Sequence, residues 1–145
     1  MMSKLKSLVV ILLMMPAAVL SQEKAVQHAV SIKQVMEAVI TPATNTLWEI
    51  YQPETEEQWL QLEQAAITTI AAGTLTALGG SSELDMQSVK EPSYQVFNQM
   101  MVKAAKDALV AIEKRDVEAF LQAGDELYPP CEGCHLVYNP GVADL

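Results

Sequence analysis

Apolar residues in this 145-residue chain recur every three or four positions in four separate runs, and almost nowhere do they alternate. A three-to-four spacing keeps one face of an α-helix in a core, whereas alternation is what a half-buried strand requires. The fold expected is therefore all-α. The first run begins at Ser31, whose Ser-x-x-Gln spacing with Gln34 has the form of a capping box. Its stripe is Ile32, Val35, Met36, Val39, Ile40, Ala43, Leu47 and Ile50. Pro42 interrupts it and, lacking an N–H, should bend or locally open the helix; Pro53 marks the exit. The second run starts as Thr55-x-x-Gln58 and carries Trp59, Leu62, Ala66, Ile70, Gly73 and Ala77 before Gly79-Gly80 stops it. Residues 81–91 read as the longest loop. The third run starts near Pro92 or Ser93 with Phe97, Met100, Met101, Ala104, Ala108 and Ile112. The fourth, capped by Asp116, presents Val117, Phe120, Leu121, Gly124 and Leu127. Four amphipathic helices on short connections predict an antiparallel up-down-up-down four-helix bundle.

The N-terminus reads differently. Lys4 and Lys6 precede an apolar stretch from Leu8 to Leu20, interrupted by Pro16 and ending in small residues. That is the pattern of a secretory signal peptide, and it is shorter than the ~20 apolar residues of a membrane span. Residues 1–21 are expected to be removed after Ser21, with a cut after Ala18 as the alternative. Residues 22–145 then form one domain with no membrane anchor. Losing two lysines and no acid takes the formal charge from −9 to −11. So acidic a chain is a poor partner for nucleic acid or anionic membranes. Its single arginine, Arg115, leaves little for bidentate phosphate recognition.

Both cysteines fall within four residues, and a histidine follows: Cys131-Glu132-Gly133-Cys134-His135. Cys-x-x-Cys-His is the attachment pattern of c-type haem. Two thiols one helical turn apart can each bond a vinyl group on the porphyrin edge, and the following imidazole can turn toward the iron as proximal ligand. The rival readings ask for more than the chain offers. A redox Cys-x-x-Cys belongs in a βαβ setting. A structural zinc site needs four ligands, and His28 is the one other histidine. A disulfide between Cys131 and Cys134 would close too short a loop to stabilise much. The expected cofactor is one covalent haem c with its iron. Export fits this, because bacterial cytochromes c are matured in the periplasm, which is the expected location.

A motif of this kind near the C-terminus, on the last helix of a four-helix pattern, resembles the class II cytochromes c, the cytochrome c′ family and its low-spin, methionine-ligated relatives. A second likeness lies in the first helix. Met36-Glu37-Ala38-Val39-Ile40-Thr41-Pro42-Ala43, followed by Leu47-Trp48, resembles a Met-x-x-Val-x-x-Pro-Ala run of one subgroup, as does Glu56-Glu57-Gln58-Trp59. Pro129-Pro130 departs from the family, where the helix usually continues unbroken. Two prolines should break or kink the fourth helix after Leu127, unless Pro130 opens a new turn.

The resemblance implies that the first helix covers the distal face of the haem and that Met36 sets the coordination. With Met36 bound, the iron is six-coordinate and suited to electron transfer with a redox partner protein. With that position open, the protein would bind nitric oxide or carbon monoxide. Met100 and Met101 are weaker candidates for the ligand. The first helix offers no distal histidine or arginine, so no enzymatic role is expected. The family often pairs through its helices, which implies a homodimer. Trp48 and Trp59 are expected to be core anchors.

Overall fold

The computed structural model describes residues 28–139, so the signal-peptide reading of residues 1–21 lies outside the described residues. Every regular element among the described residues is helical, and the fold is all-α. The elements are α1 (Ile32–Val35), a single π-helical turn (Met36–Ile40), α2 (Thr41–Glu49), α3 (Glu56–Thr76), α4 (Glu83–Ser88), α5 (Pro92–Glu113) and α6 (Val117–Tyr138).

The helix starts are where local chemistry puts them. Gln34 N–H donates to Ser31 Oγ at 3.1 Å, and Ser31 N–H donates back to Gln34 Oε1 at 2.9 Å. Thr55 and Gln58 repeat the exchange at 3.2 and 3.1 Å. Pro92 occupies the first turn of α5, where its missing N–H costs nothing. The Asp116 carboxylate accepts the Ala119 N–H at 3.0 Å and caps α6. Past α3, Gly79 takes φ 121°, a conformation that glycine adopts without steric penalty.

Four expectations are corrected. Residues 81–91 are not all loop: Ser82 and Asp85 form a third capping box and start α4. Asp85 also accepts the Ile32 N–H at 3.3 Å, tying α4 to the start of α1. The break after Leu127 does not occur, and α6 runs through Pro129 and Pro130 to Tyr138. Proline's fixed φ is helical, and the carbonyls left without donors belong to Asp125 and Glu126 on the exposed side. Pro130 itself is fully buried, so its ring packs as core. Third, Val39, Met100 and Leu121 are exposed. The inward places on α5 and α6 go to Met101 and Phe120, because adjacent helical residues point about 100° apart. Val39 lies on the π turn, which does not keep the 3.6-residue period by which the stripe was drawn. Fourth, Trp59 is a core anchor but Trp48 is not, being 38% exposed.

The core is built on small residues. Ala65, Ala66 and Ala72 of α3 share a cluster with Ala104, Ala105 and Ala108 of α5, around Leu62, Phe120 and Leu127. Pairs of small side chains let α3 and α5 approach closely, so that a methyl added at Gly73 would stand 2.6 Å from Val102 Cγ2. α5 packs on both α3 and α6, and α2 packs on α3. Between α2 and α6 there is little direct contact among the described residues. The Trp48 indole N–H, which donates to the Gly124 carbonyl at 2.9 Å, spans that side.

Candidate functional site

The gap between α2 and α6 is a cavity of about 490 Å³, within the ~300–1,000 Å³ typical of ligand and cofactor pockets. Cys131, Cys134 and His135 line it from the C-terminal turns of α6, together with Tyr128, Pro130 and Glu132. α5 contributes Tyr94, Phe97, Asn98 and Met101. From the first helical segment come Met36, Ile40, Thr41, Thr44, Asn45 and Trp48. All four residues singled out from the sequence, Met36, Cys131, Cys134 and His135, therefore lie on one mainly apolar cavity.

The end of α6 is held from α5. Phe97 packs over the motif so tightly that a side-chain carbon at Gly133 would fall 2.6 Å from its Cε1. Tyr138 meets Tyr94 edge to face, with ring centroids 5.4 Å apart, and its hydroxyl lies 2.7 Å from Ser93 Oγ. Tyr94 donates to the Thr76 carbonyl at 3.2 Å, and Asn98 Nδ2–H donates to Thr76 Oγ1 at 3.1 Å. These buried bonds lock the start of α5 to the end of α3, so the wall facing the motif is rigid. A satisfied buried network of this kind stabilises one arrangement of its elements.

Electrostatically the cavity is nearly neutral. Its lining carries one carboxylate, Glu132, and no lysine or arginine. Burial pushes the Cys131 thiol up to about 11, with the neighbouring Cys134 adding to the shift, and burial raises Cys134 as well. No disulfide joins the two cysteines, and as thiols both would be protonated at neutral pH. Burial likewise carries the Tyr94 phenol up to about 12.

Two thiols and an imidazole on the wall of an apolar cavity can hold a flat apolar cofactor that brings its own metal. A bare ion is another matter: among the described residues no group of three or more His, Cys, Asp or Glu side chains is placed to bind one. His28 lies apart, beside Gly79. Of the other methionines, Met100 is exposed, and the ε-methyl of Met101 points to α3, 2.9 Å from where a Gly73 side chain would begin. Met36 is half-buried and faces the cavity.

Tyr94 and Asn98 were not legible as wall residues from an apolar count. With Phe97 and Met101 they keep helical spacing, and reading polar residues into the stripe would have found them. Among the described residues, no helix is long and apolar enough to cross a membrane. The chain matches no family model, no curated protein and no solved structure.

Proposed function

We propose that this chain is an exported c-type cytochrome that transfers electrons, an antiparallel up-down-up-down four-helix bundle with one covalent haem near its C-terminus. The observation that carries the reading is the gathering of Cys131, Cys134, His135 and Met36 on a single apolar cavity, in the gap between α2 and α6. Cys131 and Cys134 would hold the group through thioether bonds, and His135 would offer an imidazole nitrogen to its iron. Met36, which faces the same cavity from the α1–α2 side, would offer its thioether sulfur to that iron. When bound, the haem supplies an iron that takes up and gives back one electron.

The rest of the site keeps that change simple. Ile40, Phe97 and Met101 exclude water, and the Tyr94–Thr76–Asn98 network holds the wall still. The one carboxylate on the lining, Glu132, accepts from the Tyr128 hydroxyl at 3.4 Å. In the periplasm the carrier would meet a redox partner protein, with a second copy of the chain as a further partner.

Spectra of the mature holoprotein test the coordination. Low-spin ferric iron is expected, with slow carbon monoxide binding to the ferrous form. Met36→Ala should shift the ferric protein to high spin, admit carbon monoxide readily and lower the potential, because a thioether ligand favours ferrous iron. Wild-type protein that is already high-spin, with a spectrum unmoved by Met36→Ala, would sink Met36 ligation. The binding of nitric oxide or carbon monoxide would then be the better reading.

A further inference from the structure

We propose that the π turn at Met36–Ile40, enforced by Pro42, is a register device that presents Met36 to the cavity in place of Glu37. The assignment of Met36 as an iron ligand rests on the function proposed above; the register itself does not.

The turn is identified by its backbone bond. Thr41 N–H donates to the carbonyl of Met36, five residues back, where an α-helix would use Glu37. Pro42 explains why. Its nitrogen has no hydrogen for the Ala38 carbonyl, and its ring would press on that carbonyl in a regular α-helix. Widening the preceding turn relieves the clash. The Thr44 hydroxyl lies within reach of two nearby carbonyls, sharing its one hydrogen between Ile40 at 3.0 Å and Thr41 at 3.2 Å. Single π turns inside helices are rare and concentrate at functional sites.

The consequence follows from helical phase. Thr41, Thr44, Asn45 and Trp48 all line the cavity from α2. Continued backward at 100° per residue, their stripe passes within about 30° of residue 37 and misses residue 36 by about 130°. A straight helix would thus point Glu37 into the cavity and turn Met36 away. One extra residue in the turn moves residue 36 into the place of 37. The observed side chains agree: Met36 lines the cavity. Glu37 is 65% exposed and pairs with Lys33 at 3.6 Å. The alternative register would desolvate a carboxylate against Phe97 and Met101, with no lysine or arginine on the lining to pair it. Pro42 is a positioning residue in this account, acting on the cavity only through the turn before it.

Thiol footprinting tests the register without depending on the cofactor. Cysteine is introduced as Met36→Cys or Glu37→Cys in the mature full-length protein, and alkylation at each position is followed by peptide mass mapping. Glu37→Cys is expected to react about tenfold faster or more, because position 37 is exposed while position 36 is half-buried against the cavity. The same pair is then made in a chain lacking Ala38 and carrying Pro42→Ala, where a plain α-helix has Met36 four residues before Thr41. The same order is expected there. Equal or reversed rates in the full-length chain overturn the proposal, as does a reversed order in the shortened chain. If the shortened chain does not fold, the full-length comparison decides alone. Fast reaction at 37 with slow reaction at 36, in a protein whose spectrum lacks methionine ligation, would refute the ligand and leave the register standing.

Discussion

The ring of Phe97 rests on Gly133, one of the two residues between Cys131 and Cys134, closer than any side chain there would allow. An added Cβ would meet Cε1 at 2.6 Å and Cζ at 3.0 Å. Gly133→Ala should therefore displace the ring and destabilise the protein by about 1–3 kcal/mol, the usual cost of overpacking. Phe97→Leu in the same chain should recover part of the loss. Denaturant titration of the two single variants and the double variant measures the coupling; simple additivity would mean the contact is not what disfavours alanine.

Two other glycines should respond with opposite signs. A methyl at Gly124 would meet only Trp48 Cδ1, at an ordinary 3.8 Å. Gly124→Ala should stabilise α6 by about 0.5–1 kcal/mol through helix propensity. At Gly73 the methyl would collide with Val102 and Met101, so Gly73→Ala should destabilise by about 1–3 kcal/mol. Thermal unfolding distinguishes them, and a stabilised Gly73→Ala would mean the α3–α5 seam has slack.

Much of this was legible in sequence. The starts of α1, α3, α5 and α6 follow from Ser31, Thr55, Pro92 and Asp116, because caps are local chemistry confined to one turn. Helix α4 was missed although Ser82-x-x-Asp85 is the same signal, with aspartate where glutamine stands in α1 and α3. The course of α6 through Pro129-Pro130 was not legible. Tertiary packing decides it, since Pro130 is buried in the core while Pro129 is exposed. Pro42 announced a disturbance but not its form. Whether a proline kinks a helix or opens a π turn depends on which side chains the new phase buries, and that needs the cavity.

Pro129 gives a direct check on that account. It is exposed and contributes nothing to the core that alanine would lose. Pro129→Ala should return a donor to α6 and stabilise it by about 2 kcal/mol, net of the freedom gained by the unfolded chain. Pro130→Ala should gain less, because it empties part of a buried site. Equal effects in chemical denaturation would contradict the different burial of the two rings.

Arg115, the chain's one arginine, sits at the end of α5 with φ 57°, a left-handed conformation. Its guanidinium lies 4.8 Å from the centre of the Trp59 ring and pairs with Glu56. Arg115→Ala should lose about 0.5–1 kcal/mol of cation–π attraction while keeping the backbone strain. Arg115→Gly loses the same attraction but relieves the strain, and should be the more stable of the two by about 0.5–1 kcal/mol. The reverse order would show that residue 115 is not held left-handed in solution.

Alkaline unfolding should report on Tyr94. Its phenol is near 10 in the unfolded chain and about 12 in the fold, so the folded state holds the proton more tightly. Stability from this group is full below pH 10 and is lost as the pH rises toward 12. Tyr94→Phe should flatten that decline, at the cost of the bond to the Thr76 carbonyl. Unfolding midpoints at pH 8 to 12 give the comparison, and an identical slope in both proteins would assign the decline elsewhere.

The central claim concerns the two thiols at the end of α6. The intact mass of the mature protein, purified from cells that mature c-type cytochromes, tests it most directly. The account predicts a chain heavier by one haem that survives denaturation, with neither Cys131 nor Cys134 open to alkylation. Either single Cys→Ala change should lower that occupancy, and the double change should abolish it. An unmodified mass with both thiols alkylated would contradict the account outright.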